Sequence, residues 1–134
     1  MKKFISRLRV RYGETDQMGV VHHANYALYL ELARVEWLKE FALSYKEMEE
    51  NGIMMPVYDM GLTFKKPAYF DEVLSVETQL LQPPSVRIKL GYKILNKHEE
   101  LLTDAHTELI FVNSKNNKPM RCPDDIYRKI MKSN

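Results

Sequence analysis

One cysteine, Cys122, stands in 134 residues. No intramolecular disulfide can form, and the paired cysteines of a zinc ribbon are missing. A lone thiol fits a reducing compartment. No apolar run is long enough to span a bilayer. Met1-Lys2-Lys3 starts like a secretion signal, but Arg7, Arg9, Arg11, Glu14 and Asp16 follow where an apolar stretch would have to be. The expectation is a cytoplasmic protein without a membrane span. Charge of one sign is lacking too: 20 Lys and Arg oppose 18 Asp and Glu, net +2. The cations are scattered, so no nucleic-acid footprint stands out. No repeat, low-complexity tract or linker divides the chain, and its length suits one domain over residues 1–134. Hydrophobic residues make up 45% and charged residues 28%, the balance of a globular protein.

Residues Phe4 to Tyr12 alternate, with Phe4, Leu8, Val10 and Tyr12 on one face and Ile5, Arg7, Arg9 and Arg11 on the other. This predicts a strand. Gly13 to Gly19 is a polar loop. Asn25 to Leu43 lacks Pro and Gly, is rich in Leu, Ala and Glu, and carries apolar residues almost all the way round. The expectation is a long helix buried on most sides. Ser44 to Asn51 predicts a second helix, with Ser44 and Glu47 as a capping box and Gly52 as its stop. The period then changes to two. Strands are expected over Val57–Phe64, Val73–Leu81, Val86–Ile94 and Leu102–Val112, with turns at Asn96–Glu99 and Asn113–Lys118. Met120 can add a short extension, and a terminal helix is expected over Pro123–Met131. One long helix beside an antiparallel meander indicates an α+β fold, a curved sheet wrapped around one helix. Exposed sheet edges make assembly by strand pairing the expected way to protect them.

Chemistry concentrates between Arg11 and Arg34. Asp16 sits on a Gly-flanked loop just before a helix whose first N–H groups lack internal partners and favour negative charge. On its own such an Asp is usually a turn former. Beside a helix amide it becomes a carboxylate that can attack, or activate water, next to a donor for a developing oxyanion. The His22-His23 pair invites a metal reading. Adjacent residues rarely turn both rings to one ion and no carboxylate spacing supports it, so no metal is expected. His98 and His106 are expected to be solvated. Glu31 and Arg34, three apart, are expected to pair on the helix. Lys65, Lys66, Arg87 and Lys89 are candidate contacts for an anionic ligand.

The run Glu14-Thr15-Asp16-Gln17-Met18-Gly19-Val20-Val21, then Asn25-Tyr26 and Glu31-Leu32-Ala33-Arg34, resembles the hotdog-fold thioesterases of the 4-hydroxybenzoyl-CoA thioesterase family, most closely the YbgC-like acyl-CoA thioesterases. Phe64, Pro67 and Asp71 match a second landmark, with Phe70 in place of its glycine. The resemblance covers nearly the whole chain. It implies a hotdog fold and hydrolysis of an acyl-CoA, with Asp16 as nucleophile or general base and the backbone amide of His23 as oxyanion donor. Val21, His22, Asn25, Tyr26 and Glu31 would contact substrate, and Lys65 and Arg87 would meet the CoA phosphates. No cofactor beyond the CoA of the substrate is implied, and a homodimer or homotetramer with the acyl pocket between subunits is. The alternatives are a hotdog hydratase or dehydratase, and a non-catalytic acyl-carrier binding module.

Overall fold

The computed structural model describes residues 1–134. The elements are β1 (Lys3–Arg9), a single 3-10 turn (Tyr12–Glu14), α1 (Asn25–Glu40), α2 (Tyr45–Glu50), β2 (Ile53–Met54), β3 (Val57–Phe64), β4 (Val73–Leu80), β5 (Arg87–Leu95), β6 (Leu101–Ile110), β7 (Val112–Asn113), β8 (Lys118–Pro119) and α3 (Asp124–Lys132). Five strands form an antiparallel sheet in the order β1-β4-β5-β6-β3, with α1 packed on one face. This is the expected α+β hotdog arrangement.

The meander follows its hydrophobic period. Leu74, Val76, Thr78 and Leu80 on β4 and Ile88, Leu90, Tyr92 and Ile94 on β5 all point to the buried face. Each large apolar side chain so enclosed contributes about 1.5–3 kcal/mol. Opposite them lie Tyr26, Tyr29, Leu30, Ala33, Trp37 and Leu38 of α1. These residues belong to one continuous core.

Four expectations need correction. Strand β1 stops at Arg9 because its partner register ends at Val73. Val10 then bonds Glu72 and Asp71, and the chain turns off into the 3-10 turn. Tyr12 therefore leaves the apolar face, is 76% exposed and lies edge-on to Phe70. Helix α1 is buried along one side only, since the single sheet covers only one side; Leu28 and Leu32 remain 57% and 40% exposed. It ends at Glu40, before Ala42 takes a left-handed φ of 57°. Ser44 caps α2 by accepting from the Glu47 amide, but no return bond from the Glu47 side chain completes a box. The structure also adds a small sheet, β2-β7-β8, from residues whose strands are too short to show a period.

The Phe70 substitution is accommodated simply. The left-handed position in that turn falls on Asp71 (φ 69°), whose backbone and carboxylate accept from Arg9, so residue 70 has no need of glycine's freedom.

Candidate active site

Asp16 organises its own loop. Its amide donates to Val20 O (2.9 Å) and its carbonyl accepts from the Gly19 amide (3.0 Å). Gly19 has φ +79°, a conformation that suits glycine. The Asp16 carboxylate accepts from the Met18 amide through Oδ1 at 2.8 Å, so the side chain is indeed a turn former. Its second oxygen, Oδ2, receives no hydrogen bond from the protein and the residue is half-buried. One oxygen thus fixes the orientation of the carboxylate and the other is left available.

The returning strand of the loop lies against the turn before β4. Val21 N donates to Ala68 O at 2.9 Å, and Val20 bridges Tyr69. The chain then enters α1 without a side-chain cap at Ala24. His22 substitutes: its Nδ1 accepts from the Ala24 amide at 3.1 Å, which places the proton of the neutral ring on Nε2. The Asn25 and Tyr26 amides donate to the carbonyls of His22 and His23. The His23 amide donates to nothing in the chain. It is a helix-start donor of the kind that attracts anions. The two imidazoles stack at 4.2 Å with 28° between planes.

A cleft of about 260 Å³ opens beside this helix start, lined by Val21, His23, Tyr26, Phe64, Lys65, Lys66 and Pro67. Tyr26 and Phe64 rings lie 5.1 Å apart. Burial pushes the Tyr26 phenol up, so it stays neutral. Lys66 pairs with Glu100, whereas Lys65 has no ion pair within the chain.

Val21, His23, Tyr26 and Lys65 are therefore brought together. His22 and Asn25 stand beside the cleft and hold the loop to the helix. Asp16 does not line this cleft; it is joined to it through the Thr15–Val21 bridge. Two expected contacts fall elsewhere. Glu31 is exposed, about 140° round the helix from Tyr26 at 3.6 residues per turn. It makes no pair with Arg34, which turns inward to Tyr45 and Tyr92. Arg87 faces Ile110 on β6, whereas Phe64 faces Thr103, so the two lie roughly 23 Å apart along the strand. Arg87 bonds Glu108 at 2.8 Å and lies over the Tyr58 ring, and Lys89 also leans on Glu108. Both cations have partners outside the cleft. His106 is exposed as expected, and there it meets the equally exposed Asp59 at 3.0 Å.

Lys66, a candidate anion contact in the sequence, does line the cleft, whereas Glu14, Phe64 and Pro67 are residues around the site to which the sequence assigns no role there. Glu14 had one local signal, its spacing of three from Arg11; the others reach the cleft only through the path of β3.

Residues 10–130 match the family model described as the thioesterase-like superfamily. The protein YneP of Bacillus subtilis (strain 168) is 36% identical over 85% of this chain and 83% of its own length. The acyl-CoA thioester hydrolase YbgC of Escherichia coli O6:H1 is 29% identical over 89% of each chain. Among solved structures, a DHNA-CoA thioesterase from Staphylococcus aureus superposes with a TM-score of 0.93 at 34% identity, covering 99% of this chain and 91% of that one. A sheet curled on one long helix, a carboxylate loop at the start of that helix and likeness over nearly the full length agree: the chain belongs to the thioesterase-like superfamily of hotdog-fold enzymes.

Proposed function

We propose that this protein is an acyl-CoA thioesterase, one domain over residues 1–134, converting thioester and water to a carboxylic acid and free CoA thiol. The observation that carries the reading is the unpartnered amide of His23, a residue at the start of α1 that lines the cleft with Tyr26 and Phe64. A thioester oxygen set on that amide gains a hydrogen bond and the positive end of the helix as charge develops on it. One such donor is worth roughly 10²–10³ in rate. The free oxygen of Asp16 serves the carbonyl carbon, either by attacking it to give a mixed anhydride that water then opens or by taking a proton from the attacking water. Tyr26 and Phe64 hold the acyl group, and Lys65 meets a CoA phosphate. No cofactor takes part. Family membership and the single thiol support action in the cytoplasm.

Phe64 on the wall of the cleft is 51% exposed, so the reading includes a second copy of the chain that covers it, while Asp16 and the His23 amide of one chain serve the same thioester. Strand β3 is an open edge, and its inner face leaves Met60 and Phe64 43% and 51% exposed. The other edge, β1, carries Lys3, Arg7 and Arg9, the charges that discourage pairing. Two copies joined along β3 as a dimer, or a tetramer of two such dimers, enclose the acyl group between subunits.

The test is thiol release from a panel of aromatic and aliphatic acyl-CoAs, with an enoyl-CoA followed separately for loss of absorbance. Wild-type protein is expected to release thiol, and Asp16→Asn to keep its melting temperature while losing about 10²-fold or more of turnover. No thiol release from any substrate, enoyl loss without thiol, or full turnover in Asp16→Asn would overturn the reading.

A further inference from the structure

Glu14 touches no part of the cleft, yet it is the most heavily bonded group around it. Its side chain is only 13% exposed. Oε1 accepts from the Arg11 amide at 2.8 Å and from the Tyr29 hydroxyl at 2.9 Å, and Oε2 accepts from Arg11 Nε at 3.2 Å. Its backbone carbonyl accepts two more, from the His22 amide and from Asn25 Nδ2, both at 2.9 Å. Burial opposes the charge on this carboxyl, but the bonds from the Arg11 amide, Tyr29 and the Arg11 side chain outweigh it and hold the group below the usual carboxylate range.

The Arg11 bonds are what a cap on the Tyr12–Glu14 turn needs. The Tyr29 and Asn25 bonds go beyond a cap. They come from α1, a full turn apart on that helix, and Tyr29 is 4% exposed. They clamp the catalytic loop onto the helix at a single residue. From Glu14 the covalent chain reaches Asp16 in two steps, and the hydrogen bond to the His22 amide leads to His23 in one more. The two groups that must face one thioester are both referenced to this residue.

We infer that Glu14 is a positioning residue that sets the spacing between Asp16 and the His23 amide by locking the loop to Tyr29 and Asn25 of α1. The inference rests on the proposed roles of Asp16 and His23. A reacting pair displaced by about 1 Å loses up to about 10²-fold in rate without loss of substrate binding.

The experiment is steady-state kinetics on Glu14→Gln, Tyr29→Phe, the double variant, and Glu14→Gln combined with Asp16→Asn. Glu14→Gln keeps the size of the side chain but presents an amide N–H to donors. Its kcat is expected to fall by roughly 20-fold or more with KM within about threefold of wild type, the split that misplacement of reacting groups gives. Tyr29→Phe should lower kcat in the same way by a smaller factor. The double variant should be no slower than Glu14→Gln within about twofold, because the two act through one bond. On the residual turnover of Asp16→Asn, Glu14→Gln should add less than about twofold. If Asp16→Asn is inactive but Glu14→Gln and Tyr29→Phe keep wild-type kcat, this inference fails alone. If Asp16→Asn keeps full turnover, the underlying reading fails instead. Should Glu14→Gln not fold, Tyr29→Phe decides: unchanged kcat overturns the inference.

Discussion

Removal of one hydroxyl, in Tyr92→Phe, should destabilise this protein far more than its size suggests. Arg34 is 6% exposed and no carboxylate lies within salt-bridge distance. Its charge is carried by phenols: Nε donates to Tyr45 OH at 2.9 Å and Nη1 to Tyr92 OH at 3.3 Å, and Tyr92 OH shares a bond of 2.7 Å with Thr107 Oγ1. Burial works against protonation of Arg34, but Tyr92 and Tyr45 outweigh it and the guanidinium stays charged. Tyr92→Phe keeps the ring and its packing. It leaves one Arg34 N–H and the Thr107 hydroxyl without partners in a region where Tyr92 and Thr107 are each 1% exposed. A bond to a charged donor counts for about 1.5–3 kcal/mol, and a stranded buried hydroxyl adds about 1 kcal/mol, giving ~2.5–4 kcal/mol. At roughly 4 °C per kcal/mol for a chain of this length, the melting temperature should fall by about 10–16 °C. Tyr45→Phe should cost less, about 1–1.5 kcal/mol, because Tyr45 is only half-buried and water can replace its hydroxyl. The assay is urea and thermal unfolding of the two variants with Arg34→Met/Tyr45→Phe/Tyr92→Phe. The triple variant removes the buried charge with its partners and should recover much of the loss. A Tyr92→Phe protein within about 0.5 kcal/mol of wild type would refute the reasoning.

Two further outcomes follow from the same geometry. Sedimentation equilibrium should find the protein dimeric at micromolar concentration, and Met60→Lys on the open edge of β3 should weaken the dimer at least about tenfold; a monomeric wild type would refute the β3 interface. Glu14 is held below the usual carboxylate range, so its contribution to stability is present above its unfolded value of 4.5 and is lost as pH falls through the folded value. The melting temperatures of wild type and Glu14→Gln should therefore converge between about pH 6 and about pH 3, and a constant gap would contradict that sign.

The parts legible in the sequence are those where one short stretch decides the outcome. Strands β4 and β5 were readable because a sheet buried on one face imposes a strict period of two. The Asp16 loop was readable because its carboxylate, glycine and helix start lie within ten residues. The misreadings share a cause. Tyr12 continues the alternation of β1, but strand pairing stops at Arg9 and only the partner strand decides that. Arg34 has Glu31 one turn away, yet its partners Tyr45 and Tyr92 lie 11 and 58 residues off and offer full enclosure that an exposed Glu31 does not. Arg87 and Lys89 were open cations in sequence and are bound to Glu108 across the sheet. Ala42 adopts a left-handed turn that alanine does not announce.

The misjudged burial of α1 is informative in a different way. The apolar pattern of a helix records every surface it meets in the working assembly, whereas a single protomer covers only the side facing its sheet. Leu28 and Leu32 project outward, and at the open sheet edge Met60 and Phe64, on the inner face of β3, are also left exposed. Scattered apolar residues on a surface need no explanation, but Met60 and Phe64 share one face of an edge strand that pairs only with β6 and leaves its outer edge open. Strand pairing along β3 would satisfy both deficits at once: it would bond the open backbone and cover the apolar side chains. It would also bring a second chain to Phe64, the residue that packs against Tyr26 in the cleft. The same contact that completes the core would thus close the site, which ties turnover to assembly: dilution below the dimer dissociation constant should lower specific activity in step with the loss of dimer.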